Sequence, residues 1–309
     1  MSFDRLIARI VETGNPTVVG LDPKLDYIPE HIKEAAFQEH GNTLRGAAEA
    51  FLAFNKGIID AVCDIVPAVK PQCAYYEMLG YEGMRALYET IQYAKSRGMF
   101  VIIDGKRNDI GSTMEAYAVA HLGEISINGA VAEPFGGDAL TVNGYLGTDG
   151  IKPLLGICNA KDKGIFALVK TSNPSSGELQ DREIDGEAVY SIMAGMCEAW
   201  GAESMGQYGY SAVGAVVGAT YPAQLAELRK KAPHTFFLVP GYGAQGGTAA
   251  DVAGAFDEKG LGAIVNSSRA ILTAWKKQNV PGEEYAAAAR NEAIRMRDDI
   301  TQYIPKITL

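Results

Sequence analysis

The amino-acid sequence predicts an α/β protein folded as one (β/α)8 TIM barrel, with an extra helix at the N-terminal and at the C-terminal end. Three observations point there. Short apolar runs alternate with helical stretches along most of the chain. Most runs are apolar throughout, as expected for strands buried on both faces of a parallel sheet. Several of them also close on a polar residue. In chain order the strands are expected at Thr17–Asp22, Ile65–Lys70, Met99–Asp104, Ala139–Asn143, Ile165–Thr171, Val213–Gly218, Thr235–Val239 and Gly262–Asn266. This alternation also fits a doubly wound open sheet. Asp22, Lys70, Asp104, Asn143, Thr171 and Asn266 decide between the two, because each ends a strand. A barrel gathers such ends into one ring, whereas an open sheet spreads them along a line.

The helices follow from periodicity. Phe3, Leu6, Ile7, Ile10 and Val11 share one helical face near the N-terminus. Further helices are expected at Thr43–Val62, Gly83–Ser96, Ser112–His121, Glu187–Trp200, Pro222–Lys231 and Ala249–Asp257, with a last one over Glu283–Ile300. No Pro/Ser-rich linker, repeat or low-complexity segment divides residues 1–309, so one catalytic domain is expected.

Composition narrows the function. A net charge of −9, with no basic run, argues against binding to a nucleic-acid backbone. Cys63, Cys73, Cys158 and Cys197 form no CxxC pair, and three of them lie in apolar segments. They read as buried free thiols of a reducing, cytoplasmic compartment. The opening segment carries Asp4 and Glu12 and lacks a long apolar core, so neither a signal peptide nor membrane attachment is expected. The four histidines show no metal-ligand spacing, there is no P-loop, and Ser175-Ser176-Gly177 is no nucleophile elbow.

VIIDGKRNDIGST, residues 101–113, is the most informative stretch. Asp104 and Lys106 are two apart, so an extended backbone would put both on one side of the strand. Asp109 follows in the turn to the next helix. A lysine held between carboxylates stays protonated and can deliver a proton to carbon. Lys70 adds a second cation to the same ring. Taken alone, the DxKxxD pattern reads more readily as a surface salt-bridge cluster, and its place after a buried strand brings the two readings level. After strand seven, Pro240–Gly247 is a glycine-rich loop whose amides, including that of Gly246, can converge on an anion. After strand eight, Asn266-Ser267-Ser268-Arg269 offers a guanidinium. Barrels often bind phosphate at those two loops.

These segments together resemble the orotidine 5'-phosphate decarboxylases, in their longer bacterial-type subgroup. The resemblance runs through VGLDPK, AVKPQCAYYE, DGKRNDIGST, LVKTSNPSSGE, PGYGAQGG and IVNSSRA, covering residues 18–270 in the expected order. Two positions depart from it: Asn108, often glycine, and Tyr242, often valine. The resemblance implies an enzyme that needs neither metal nor cofactor and converts orotidine 5'-monophosphate to uridine 5'-monophosphate. It implies that Lys106 protonates C6, that Asp104 faces the substrate carboxylate, and that Lys70 holds Asp104 and reaches the ribose. Asp109 would complete the charge array from the partner subunit of a homodimer, bringing Ile110 and Thr113 with it. Asp22 would bind the 3'-hydroxyl, Ser172 would read the pyrimidine edge, and Gln245, Gly246 and Arg269 would hold the 5'-phosphate.

Two other readings stay open at this level. GYGAQG also matches the GxGxxG of dinucleotide-binding folds, and Arg269 could serve an NADP 2'-phosphate. A magnesium-dependent phosphosugar decarboxylase of the same barrel group shares DxKxxD and the phosphate loops. It would carry an acid where this chain has Lys70, since a divalent cation wants several oxygen ligands.

Overall fold

The computed structural model describes every residue except Met1 and Ala244. Eight parallel strands close into a barrel: β1 (Thr17–Leu21), β2 (Ala68–Pro71), β3 (Phe100–Arg107), β4 (Ala139–Val142), β5 (Gly164–Lys170), β6 (Val213–Val217), β7 (Phe237–Val239) and β8 (Ala263–Ser267). Each pairs with the next, and β8 returns to β1 with Val18 opposite Asn266. The eight strands fall where the apolar runs placed them. The open-sheet alternative is thereby excluded.

Alternation along the strands sorts the core into two shells. Val19, Leu21, Val69, Val101, Ile103, Leu140 and Val142 pack outward against the helices. Val18, Ala68, Phe100, Ile102, Ala139, Phe166, Val216, Leu238 and Ile264 pack inward. Helix α1 (Ser2–Thr13) closes the lower end of the inner shell with Phe3, Leu6, Ile7 and Ile10. The Phe3 ring lies 4.8 Å from that of Phe166 and 5.5 Å from that of Phe236. Burying such side chains contributes about 1.5–3 kcal/mol each. The plug leaves the C-terminal ends of the strands as the open end.

The outer layer consists of α2 (Glu30–His40), α3 (Leu44–Val62), α4 (Cys73–Glu77), α5 (Gly80–Ser96), α6 (Gly111–Leu122), α7 (Thr148–Lys161), α8 (Val189–Gly201), α9 (Pro222–Lys231), α10 (Ala249–Val252), α11 (Arg269–Leu272) and α12 (Ala274–Lys277). The C-terminal α13 (Tyr285–Thr301) packs on α3, α11 and α12. Five helices escape the sequence pattern. In α7 the period is broken by Pro153, Gly150 and Gly156, yet the β4-to-β5 crossover requires a helix there. In α2 only Ala36 is buried, so it carries little apolar period. The others, α4, α11 and α12, are too short to show one. The helix expected over Ala249–Asp257 is α10 followed by a 3₁₀ turn. Two short hairpins, Ile125–Ile127 with Ala130–Ala132 and Glu183–Ile184 with Glu187–Ala188, lie outside the barrel. Cys73, Cys158 and Cys197 are buried free thiols, while Cys63 is partly exposed. Among the described residues no helix is long and apolar enough to cross a membrane.

Candidate active site

The topmost inward positions line a cavity of about 740 Å3 at the open end. On one side stand Lys70 of β2, Asp104 of β3 and Thr141 of β4. On the other stand Leu168 of β5, Val216 of β6 and Leu238 of β7. Ions on one wall therefore face an apolar wall that keeps the local dielectric low.

Asp104 is the hub of the polar wall. Its Oδ2 accepts from Lys70 Nζ at 2.5 Å. Its Oδ1 accepts from Lys106 Nζ at 2.6 Å and from Thr141 Oγ1 at 2.8 Å. Burial alone would raise the carboxyl's pKa. The two lysine charges and their hydrogen bonds outweigh it and hold Asp104 ionised well below the usual carboxylate range. Burial likewise pushes the Lys70 ammonium towards neutrality. Asp104, then Asp22, overcome that and raise its pKa above the ordinary lysine value. The side chains of Lys70 and Asp104 are 6% and 8% exposed, whereas that of Lys106 is 45% exposed. Of the two lysines on Asp104, both of which line the cavity, Lys106 is therefore the more open to whatever enters it.

The backbone that delivers Lys106 is not extended. Ile103 pairs with Leu140 and Arg107 with Val142, so four steps of β3 run against two of β4. Within this bulge Lys106 sits at φ 47°, a left-handed conformation that costs a non-glycine residue about 1–3 kcal/mol. Lys106 N–H donates to Thr141 Oγ1 at 3.0 Å. Lys106 and Asp104 do meet, through a bulge tied to Thr141 rather than through simple alternation. Past the bulge, Arg107 turns outward to Glu77 and donates to His121 Nε2 at 3.4 Å. Burial, helped by the Arg107 charge, lowers the His121 pKa to about 4, so its neutral ring can accept.

The loops of β7, β8 and β1 form the far rim. Gly241, Gly243 and Gly246 have φ of 101°, 70° and 97°, conformations open to glycine. Gly247 N–H donates to Gly241 O, and Gly243 N–H to Gly247 O, which folds the loop back on itself. Gln245 and Arg269 line the cavity, as do Ser267 and Ser268. Gly20 makes room for this corner, since a Cβ there would fall 1.8 Å from Ser268 Oγ. Asp22 Oδ1 is shut away from solvent and has no hydrogen-bond partner in the protein, while its residue lines the cavity.

The segment after β5 contributes Thr171, Ser172 and Gln180. Gln180 braces it, accepting from Thr171 N–H at 2.9 Å and donating to Thr171 Oγ1 at 2.8 Å. Lys170 carries the inward phase of Phe166 and Leu168 but does not line the cavity. A register shift places Leu168 opposite Val216 and Lys170 opposite Val217, turning it away. Its fully buried ammonium reaches Asp181 at 2.5 Å and lies 4.3 Å from the centre of the Tyr221 ring. This pair fastens the far end of the Ser172 segment.

Of the residues anticipated from sequence, the cavity gathers Asp22, Lys70, Asp104, Lys106, Ser172, Gln245 and Arg269. Asp109, Ile110 and Thr113 lie outside it at the start of α6, with Ile110 51% exposed and Asp109 Oδ1 accepting from Ile110 N–H. Gly246 shapes its loop without lining the cavity. Asn143 leaves the ring and caps the next turn by accepting from Tyr145 N–H. Thr141 was missed, although its register with inward-facing Ala139 marks it as a polar residue inside the barrel. Lys24, Tyr27 and Tyr75 on the rim carry no comparable signal.

Residues 45–281 match the model of the orotidine 5'-phosphate decarboxylase / HUMPS family. An orotidine 5'-phosphate decarboxylase of Rhodopirellula baltica is 48% identical over 92% of this chain and 91% of its own length. That of Clostridium tetani is 43% identical over 98% and 99%. The chain belongs to the orotidine 5'-phosphate decarboxylase family. It is accordingly a decarboxylase, a carboxy-lyase. The structure of the Leishmania donovani OMP decarboxylase superposes with a TM-score of 0.75 at 29% identity, covering 98% of both chains.

Proposed function

We propose that this enzyme converts orotidine 5'-monophosphate to uridine 5'-monophosphate and carbon dioxide, in the cytoplasm and without metal or cofactor. The observation that carries the reading is Asp104 gripping two ammonium groups at the cavity wall, that of Lys106 being the more exposed. The bond from C6 to the carboxylate carbon breaks and its electron pair stays on C6. Lys106 then passes a proton to that carbon. The carbanion has no obvious electron sink, so a fixed positive charge beside it supplies the stabilisation. Asp104 faces the departing carboxylate, while Lys70 keeps Asp104 in place and reaches the ribose. Asp22 takes the 3'-hydroxyl, which suits its buried, unpartnered Oδ1. Ser172 reads the pyrimidine edge. Gln245, Arg269 and the Gly246 amide hold the phosphate. Rate enhancements by enzymes correspond to about 8–23 kcal/mol, more than one lysine supplies, so binding energy from the remote phosphate contributes by fixing the site.

Loss of orotidine monophosphate absorbance in EDTA, at the rate seen without it, is the expected result. Activity abolished by EDTA and restored by magnesium would instead favour the phosphosugar-type metal mechanism. Lys70 speaks against that mechanism, occupying the place of an acidic ligand.

Asp109 is absent from its own cavity, which supports its action in the site of a second subunit of a homodimer, with Ile110 and Thr113. Lys106→Ala and Asp109→Ala homodimers should both be nearly inactive. Mixed dimers should regain activity, because one of their two sites then keeps both residues. Verified heterodimers without recovery would place Asp109 in the site of its own chain.

A further inference from the structure

Tyr242 is the third residue of the glycine loop and lines the active cavity, yet its hydroxyl points the other way. It donates to Asp299 Oδ2 on α13 at 2.6 Å. Between loop and helix lies a second cavity of about 290 Å3, lined by Tyr242, Gly247, Thr248, Arg295 and Asp299. The Tyr242 side chain therefore bridges the loop to α13 across poorly filled space. The far end of this bridge is firm. Arg295 joins buried Glu292 at 2.7 Å and stands 3.9 Å from Asp299. Ala289, Ala293, Met296 and Ile300 bury α13 in the core. The near end is the opposite: Gly241, Gly243 and Gly246 give the loop wide conformational freedom that a bound anion must remove. A tether that restricts the loop beforehand lowers that ordering cost.

We propose that the Tyr242–Asp299 hydrogen bond is a positioning device by which the C-terminal helix pre-forms the phosphate-gripping loop. Asp299 acts only through Tyr242 and touches no substrate. The proposal rests on the assignment of the loop to the 5'-phosphate, and it adds α13 to the elements that set affinity for the phosphorylated ligand.

Calorimetric binding of uridine 5'-monophosphate and of uridine separates the tether from a general structural effect. A hydrogen bond to a charged group is worth enough to shift affinity on the order of tenfold or more. Asp299→Ala and Tyr242→Phe should each weaken uridine monophosphate by about that factor and leave uridine unchanged. For Asp299→Ala the loss should appear in KM for orotidine monophosphate, with kcat retained. Equal weakening of both ligands, or no change in either, would overturn the tether. Should Tyr242→Phe fail to fold, Asp299→Ala on the partly exposed helix face decides alone. Wild-type protein that binds uridine monophosphate no better than uridine would instead overturn the phosphate assignment itself.

Discussion

Lys106→Ala should abolish decarboxylation while uridine 5'-monophosphate still binds. Two effects vanish with one side chain. A positioned general acid contributes about 10²–10⁴-fold. A preorganised electrostatic group facing developing charge contributes about 10²–10³-fold. Together they predict a loss of kcat of about 10⁴-fold or more. Binding survives because the loops proposed to hold the phosphate follow β7 and β8, across the barrel from β3 and β4. Asp104 keeps Lys70 and Thr141 as partners, so the site does not collapse. Single-turnover kinetics with calorimetry on the same variant reads both quantities. An undiminished rate would remove Lys106 from the role of acid.

Asp104→Asn should cost both activity and stability. Removing one member of a buried ion pair typically costs about 3–5 kcal/mol, because the other charge is left without compensation. Here that charge is the Lys70 ammonium, which burial already opposes and which Asp104 foremost, then Asp22, rescue. With Asp104 neutral, burial prevails and the folded-state pKa of Lys70 drops below its unfolded value.

The pH dependence of stability follows from that sign. In the wild type the lowered Asp104 pKa contributes stability that is present above about pH 4 and is lost as pH falls through the folded value. The raised Lys70 pKa contributes stability that is present below about pH 10 and is lost as pH rises through its folded value. Neither group gives a slope between those limits. In Asp104→Asn the unfolded chain binds more protons than the folded one, so stability should rise with pH from neutrality towards about pH 10. Urea unfolding at several pH values checks this. A flat profile would mean that Lys70 stays protonated without its partner.

Much of the fold was legible because burial on both faces of a parallel strand demands a continuous apolar run, and such runs are local. The eight strands, the plug helix of Phe3, Leu6, Ile7 and Ile10, and α13 all declare themselves this way. The site ring was legible for the related reason that a charge ending a buried run is most easily accommodated at the open end, although Lys170 departs from this. Asp22, Lys70, Asp104, Gln245 and Arg269 meet there. Helix α7 was hidden because Pro153 and two glycines interrupt its period, although chain connectivity required it.

By itself, then, the sequence determined the barrel, the motif Asp104-Gly105-Lys106 and the order of its loops, since each is encoded in residues close along the chain. Only the tertiary structure decided how Lys106 reaches Asp104. That depends on a bulge held by Thr141, 35 residues away, which turns an unfavourable φ into a fixed ammonium position. It also decided that Lys170, in phase with the inner shell, serves as an anchor, because a register shift against β6 turns it outward. And it alone joined Tyr242 to Asp299, 57 residues apart. Pairings of this kind depend on register and packing across elements, and no local pattern of apolar or charged residues records them.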